Sequence, residues 1–569
     1  MFTGVLLSLV TFAFAVAIIV ALGLPWAGII LRRAPISTYI RHSLWWGLLV
    51  LSVLGLLLNQ VLPLADWRVP IVIGVACVVS AVAGIAVVIR CPRRVSFKRP
   101  TASVVFLLSS LGITVLVLAL RVVGPVTNYD TGLYHLGAIR YAEDFAAIPG
   151  LANLFFAYGY ATSQWPLAGL LSWSPLGLEG FRALNSIVFI LLASDLAVRV
   201  LRREKKAGTY VAGIGTAVIA FTMLPLGDYW VVSPTQDSHV LVLVVASSAY
   251  LSDVLSRQKW VPSAATAVAI VTSTVLVRST MVAYAAVVAL VVVFVAIRRR
   301  RDATNRQARA AAGVAAVWVI LAVASGALRD YRLSGWWQYP LSLVAFDVDW
   351  RATDATPERL ATLGAARDPA NPWAAADSWS WIGSWISRAL STWETYAALL
   401  LIVAGVMGVL VTRPPRRMLL ALLPSLVATT FWFLFTPPSF RFAWGPVFTL
   451  GVIPLGWSLW QWSRTRDWVA TISYFSISAV IALACMLTVF LRIDFAESTS
   501  ERTSRWVPVE FAVVDVARVP TTELEVDSRL RLLMPTTGDQ CWDAYPLCTP
   551  QPKQSLRLRG AGIGEGLRR

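Results

Sequence analysis

Apolar runs of roughly twenty residues recur along this chain, separated by short polar or basic linkers. A helix needs about twenty such residues to cross roughly 30 Å of hydrocarbon, and a backbone in lipid must satisfy its own hydrogen bonds, which selects helices for these runs. The pattern predicts about fourteen spans, at 5–31, 44–64, 69–90, 103–123, 182–201, 208–226, 237–255, 261–277, 280–297, 312–328, 393–412, 418–435, 444–461 and 468–491. The expected fold is all-α, a polytopic transmembrane bundle. The first run is too long for a signal-peptide core and has no basic region before it, so it reads as a retained helix.

Four regions follow from this reading. Residues 1–123 hold the first helices, and 124–181 form a first large loop with amphipathic helices. Residues 182–491 are the transmembrane core, interrupted by a polar loop at 329–392, and 492–569 are a short tail expected to cap the bundle. Within the first loop, Tyr134, Ala138, Tyr141 and Phe145 recur at helical spacing and predict one apolar stripe. The stretch 154–173 is apolar but broken by Gly159, Gln164 and Pro166, which suits a helix lying on the membrane surface or re-entering it. Residues 506–516 are β-prone.

Composition agrees with this pattern. The chain of 569 residues is 57% hydrophobic and only 14% charged, where a soluble protein would carry about a quarter charged residues. Its net charge of +18 sits in short clusters between spans: Arg32 and Arg33; Arg90, Arg93, Arg94, Lys98 and Arg99; Arg202, Arg203, Lys205 and Lys206; Arg298 to Arg301; Arg413, Arg416 and Arg417; Arg464 and Arg466. That is the positive-inside signature of cytoplasmic loops, and it argues against a nucleic-acid partner. Alternation from Arg32 puts every one of these clusters inside, and it puts 124–181, 329–392 and the tail outside. The 25 tryptophans suit belts at the two interfaces, where the ring is buried and its N–H stays wet, with Trp336-Trp337 and Trp379 to Trp385 as examples. Cys77 and Cys485 fall within apolar runs and Cys91 among basic residues. Cys541 and Cys548 would be able to pair if the tail is extracytoplasmic.

The residues able to carry chemistry gather at the expected outer side. Asp130, at the start of a predicted helix, reads as an N-cap or as a general base whose proton affinity is raised at the lipid boundary. Asp237, at the start of the seventh span, reads as an N-cap or as a functional carboxylate. His135 and His239, two of three histidines, lie near these carboxylates. Hydrogen bonding to substrate or structural pairing fits them better than a metal set with Asp130 and Asp237, because no tight ligand spacing exists. Arg140 and Asp144 are spaced for an i,i+4 ion pair, with Asp144 alternatively offered to a cation or acceptor. Arg121, Arg278 and Arg441 break the inner-side bias. An arginine at an apolar boundary is costly without an anion; a lipid phosphate would supply one with bidentate geometry, and snorkelling toward ordinary phospholipid is the plainer account, preferred for Arg121. No Walker loop, dinucleotide fingerprint or His-Glu-x-x-His motif is present, and the centres of the predicted spans are nearly charge-free.

An outer loop that begins with an aspartate and continues as amphipathic helices resembles the GT-C superfamily, membrane glycosyltransferases that use polyprenyl-phosphate sugars. More narrowly, Tyr129-Asp130-Thr131-Gly132-Leu133-Tyr134-His135, Ser233-Pro234 with Asp237, Arg441-Phe442 and the Cys541–Cys548 tail resemble a family of uncharacterised bacterial polytopic membrane proteins, from about residue 100 onward. The resemblance implies a multi-pass protein of the bacterial plasma membrane, with its active side extracytoplasmic. It implies transfer of a sugar from a polyprenyl-phosphate donor to an envelope glycan or lipid acceptor. Asp130 would be the base. Arg278 and Arg441 would hold phosphate, and Tyr134, His135, Asp144, Asp237 and His239 would line the substrate site. It names no certain cofactor and leaves room for a divalent cation. The chain departs from the superfamily in having three helices ahead of the one leading into that loop, and one aspartate where some relatives carry an adjacent acidic pair. The rival expectations are a transporter or flippase for a glycolipid or wall precursor, and a non-catalytic envelope-assembly protein.

Overall fold

A computed structural model describes residues 3–31, 34–89, 100–256, 260–299, 305–490 and 513–569. Cys91 and the arginine clusters at 32–33, 90–99 and 300–301 lie outside them. The first four helices are α1 (Thr3–Ile30), α2 (Ile36–Val61), α3 (Arg68–Ile89) and α4 (Ala102–Val122). The first loop contributes α5 (Leu136–Asp144) and α6 (Gln164–Leu170). The core follows as α7 (Leu184–Leu201), α8 (Ala207–Met223), a four-residue α9 (Gly227–Trp230), α10 (Gln236–Ser256), α11 (Val261–Val277), α12 (Val282–Arg298) and α13 (Asn305–Ser334). Beyond it come α14 (Thr356–Arg367), α15 (Pro372–Asp377), α16 (Ile382–Ala389), α17 (Trp393–Thr412), α18 (Met418–Phe435), α19 (Trp444–Ser463) and α20 (Asp467–Phe490). Among the described residues twelve helices are long and apolar enough to span a membrane, and α8 and α11 are shorter apolar helices. Each of the fourteen expected spans is therefore a helix, and the protein is an all-α polytopic bundle.

The core forms around α10, which is buried from Asp237 to Leu255 and packs against α7, α8, α11 and α19. At the periphery α3 and α17 expose valine and leucine to the surroundings. Between α1 and α2 the backbones nearly touch. A Cβ on Gly47 would lie 1.7 Å from the Ile19 carbonyl oxygen, and one on Gly23 2.0 Å from that of Ser43, the close approach that small residues permit where lipid supplies no hydrophobic drive. Not every tryptophan serves a belt. Trp45, Trp46, Trp165, Trp381, Trp444 and Trp457 are fully buried.

Among the described residues the strands form short antiparallel hairpins: β1 (Trp336–Gln338) with β2 (Leu341–Ala345), β3 (Thr521–Asp527) with β4 (Leu530–Pro535), and β5 (Arg557–Leu558) with β6 (Leu567–Arg568). The expected strand at 506–516 is not seen at 513–516, and its earlier residues lie outside the described set. The tail docks on the first loop. The Val514 amide donates to Val123 O (3.0 Å) and that of Leu567 to Pro149 O (2.9 Å). The apolar stretch after residue 154 folds inward as two short 3-10 turns flanking the buried helix α6, rather than as one helix on the surface.

Candidate functional site

After α4 the chain is tied to the segment before α10: Asn128 Nδ2 donates to the Tyr229 carbonyl (3.3 Å). Asn128 also does the work the sequence offered to Asp130, its Oδ1 accepting the Asp130 amide (3.0 Å). The next five residues, Thr131–His135, form one π-helical turn before α5, a local widening that proteins keep mostly at functional positions. The Asp130 side chain makes no cap bond. Its Oδ2 lies 3.0 Å from Arg441 Nη2, which corrects the N-cap reading. Asp237 repeats the arrangement. Thr235 Oγ1 accepts the Asp237 amide (3.3 Å), and the carboxylate turns to Arg278 Nη2 (2.5 Å) and Arg441 Nε (3.9 Å).

The two arginines arrive from breaks between helices. Arg278 is the extended residue that ends α11, and Arg441 sits in the 3-10 turn Phe440–Ala443 ahead of α19. The Phe442 ring lies 4.9 Å from the Arg278 guanidinium and 5.1 Å from that of Arg441, so the cations share one aromatic ring. Two guanidiniums and two carboxylates thus form a neutral chain, Asp130–Arg441–Asp237–Arg278. The side chains of Asp130 and Arg441 are 20% and 28% exposed, and that of Asp237 is 3% exposed. The cluster opens at Asp130 and closes at Asp237.

Around it stand aromatic and neutral polar groups. The Tyr134 ring lies 4.5 Å from His135, 6.1 Å from Trp165 and 6.3 Å from Tyr160. Burial pushes the Tyr134 phenol well above its usual range and the His135 imidazolium down to about 3, so both are neutral at ordinary pH. His135 Nδ1 lies 3.2 Å from Thr131 Oγ1, which also meets Ser233 Oγ at 2.5 Å. Gln164 Nε2 donates to the Pro234 and Thr235 carbonyls, which leaves its Oε1 to accept from His239 Nδ1 (2.6 Å). His239 Nε2 is then a bare acceptor; it and Arg278 Nη1 are buried without a partner. A buried polar atom left this way costs about 1–3 kcal/mol, and the Trp165 indole N–H beside Tyr134 and His135 is a further buried donor of this kind.

The structure therefore brings together Asp130, Tyr134, His135, Asp237, His239, Arg278 and Arg441. It does not bring Asp144, which ends α5 and acts on Tyr545 of the tail. Arg140 pairs with Glu143 (2.9 Å) and Glu179 (3.7 Å) in place of the expected Asp144, because α5 turns those residues toward the loop. Burial raises the Glu143 carboxyl to about 7 against the pull of Arg140. Arg121 is buried and donates to Pro225 O (3.1 Å), a packing role rather than snorkelling. No group of three or more His, Cys, Asp or Glu is placed to hold a metal among the described residues; the acidic oxygens face arginines. Cys541 and Cys548 are joined in a disulfide.

Sequence reasoning gave no role to Gln164, Thr131 or Ser233, although the last two stand in the motifs quoted for the resemblance. It also missed a second charged cluster at the opposite end of the bundle. Arg41 pairs with Glu204 (2.8 Å), and Arg199 pairs with Asp195 (2.7 Å) and Asp253 (2.8 Å), with both arginines and both aspartates at most 1% exposed. The i,i+4 pair Asp195 and Arg199 inside an apolar helix was the signal.

The model of a family described as a domain of unknown function, DUF8201, matches residues 5–448. No curated protein matches the chain, and no solved structure does.

Proposed function

The chain belongs to the DUF8201 family, and we propose that it is a GT-C-type membrane glycosyltransferase of the bacterial plasma membrane, taking a sugar from a polyprenyl-phosphate donor to an envelope glycan or lipid acceptor. The observation that carries this reading is the meeting of Asp130 with Arg441, and through Asp237 with Arg278. One carboxylate and two cations lie within reach of a single phosphate-bearing substrate. The basic linkers support an extracytoplasmic cluster, and on that side nucleotide sugars are absent and a lipid-borne donor is the available one.

In this reading the donor phosphate binds Arg441 and Arg278 and displaces Asp130 from its ion pair. The freed carboxylate takes the proton of the acceptor hydroxyl. The acceptor oxygen bonds to the anomeric carbon from the face opposite the phosphate, the carbon–phosphate-oxygen bond breaks, and the charge developing on the leaving phosphate falls on the two guanidiniums. His239 Nε2 is positioned to accept a sugar hydroxyl, and Tyr134 supplies an aromatic wall. The test is release of polyprenyl phosphate by the full-length protein in vesicles supplied with a polyprenyl-phosphate sugar and a glycan acceptor. Asp130→Asn should lower turnover by about 10²–10⁴-fold, the usual worth of a general base. Unchanged turnover would sink the assignment.

One observation favours a second reading. Asp195, Arg199, Arg41 and Asp253 form a charged cluster at the other end of α7 and α10, and intramembrane charges often mark transport paths. A lipid transporter or flippase would move the labelled lipid across the bilayer with its sugar–phosphate bond intact.

A further inference from the structure

The C-terminal segment, outside the family-matched residues, grips the loop that carries Asp130 at successive points. The Gln540 side-chain amide donates to Tyr129 O (2.8 Å), and the Tyr129 hydroxyl bonds Asp539. The Trp542 amide donates to Gly132 O (2.9 Å). The Trp542 indole lies so close over Gly132 that a Cβ there would sit 2.4 Å from its Cε2, so only glycine admits the ring. Farther along, the Tyr545 ring packs 4.9 Å from Tyr141, and the Tyr141 hydroxyl accepts the Leu547 amide (2.9 Å). Thr549 Oγ1 donates to Leu154 O (3.2 Å). The Cys541–Cys548 disulfide brackets this stretch, and Leu533 of β4 bonds Leu547 O and the Thr549 amide at its far end. Gly132 is the second residue of the π-turn that follows Asp130, so the indole bears directly on the turn that aims the carboxylate at Arg441.

We propose that the Cys541–Cys548 loop is a clamp that holds the Asp130 carboxylate on the cationic cluster, with Trp542 as the positioning residue, so that the site works only while this disulfide is closed. The proposal deepens the function proposed for the same site and relies on it only for the consequence in turnover. Opening the clamp takes two electrons and two protons from a dithiol such as dithiothreitol, which ends as its own cyclic disulfide while Cys541 and Cys548 become thiols.

The test uses full-length protein in nanodiscs and needs no turnover. Asp130 is labelled with a water-soluble carbodiimide and a small amine and read by peptide mass spectrometry, with Asp237 as the internal reference and amide exchange of residues 128–135 measured in parallel. Reduction of the wild type, Trp542→Ala, and the paired change Cys541→Ser with Cys548→Ser should each raise Asp130 labelling and amide exchange about tenfold, as for a local opening, while Asp237 stays constant. Trp542→Phe should restore protection. The clamp is refuted if Asp130 labelling is unchanged, or if Asp237 rises in parallel, which would report general loosening. Because labelling is independent of turnover, loss of the clamp and loss of the glycosyltransferase reading give different results.

Discussion

Replacing each of the two aspartates by asparagine should separate their contributions, because the chain Asp130–Arg441–Asp237–Arg278 is graded in exposure. At 3.0 Å two unit charges attract by about 5.5 kcal/mol at an effective dielectric of 20. Asp130 and Arg441 are partly open, however, and pairs of that kind retain only about 1 kcal/mol once solvent screening and side-chain ordering are counted. Asp237 is 3% exposed and sits 2.5 Å from Arg278. Removing one partner of a buried pair strands the other and costs about 3–5 kcal/mol. Asp237→Asn should therefore unfold at clearly lower temperature than wild type, and Asp130→Asn only slightly lower. Anion affinity should move the other way. In the resting cluster an incoming phosphate competes with Asp130 for Arg441, so Asp130→Asn should bind a short-chain isoprenyl phosphate more tightly, by about tenfold for each 1.4 kcal/mol of competition removed. Thermal unfolding and titration calorimetry on the same nanodisc preparation measure both quantities. Weaker phosphate binding by Asp130→Asn would refute the competition between carboxylate and anion, and wild-type melting of Asp237→Asn would refute the stabilising weight given to the buried pair.

Other predictions follow from packing and titration. Gly47→Ala places a methyl against the Ile19 backbone and should lower thermal stability by about 1–3 kcal/mol, whereas Gly74→Ala in α3 meets nothing within 4 Å and should be neutral or slightly stabilising; paired melting curves decide. Glu143, raised from 4.5 to about 7 by burial, binds its proton more firmly in the folded state. Its contribution is therefore fully present below pH 4.5 and is lost as pH rises through about 7, by about 3 kcal/mol, and Glu143→Gln should flatten that part of the stability–pH curve. His135, held down to about 3, should show no imidazole titration between pH 5 and 8 by NMR, and a midpoint near 6.5 would show the ring to be solvated. Arg199→Met leaves Asp253 and Asp195 without their shared cation and should cost about 3–5 kcal/mol, read as loss of folded protein in mild detergent.

The bundle was legible because lipid imposes one simple rule: a run of twenty apolar residues must be a helix, and all fourteen runs are. The ends of the runs were less legible. The tenth span was expected at 312–328, and α13 runs Asn305–Ser334, since nothing apolar marks the polar turns that continue a helix past the bilayer. At the site, Asp130, Asp237, Arg278 and Arg441 could be singled out because charge at an apolar boundary demands a reason. That Asn128 and Thr235 would take over capping, freeing both carboxylates, depends on side-chain rotamers that no spacing encodes. Asp144 was misplaced for the same reason: helical periodicity names the face, and only packing against the tail decides which acid on that face meets Arg140. The Asp195–Arg199 pair was passed over because attention went to charges at the outer boundary, whereas this pair is neutral within one turn of an otherwise apolar helix.

The placement of α10 bears on how the protein is made. This helix carries an aspartate near each terminus, Asp237 and Asp253, and each is neutralised by an arginine from elsewhere in the chain, Arg278 at the end of α11 and Arg199 of α7. A lone carboxylate costs about 2.5–3.5 kcal/mol at a helix centre and less near the ends where these two sit, but the segment has no lipid-facing side to offer in return. It can settle only as its neighbours close around it. Its burial then depends on partners from both sides of it in the chain: α7, with Arg199, is made before it, and Arg278 at the end of α11 is made after it.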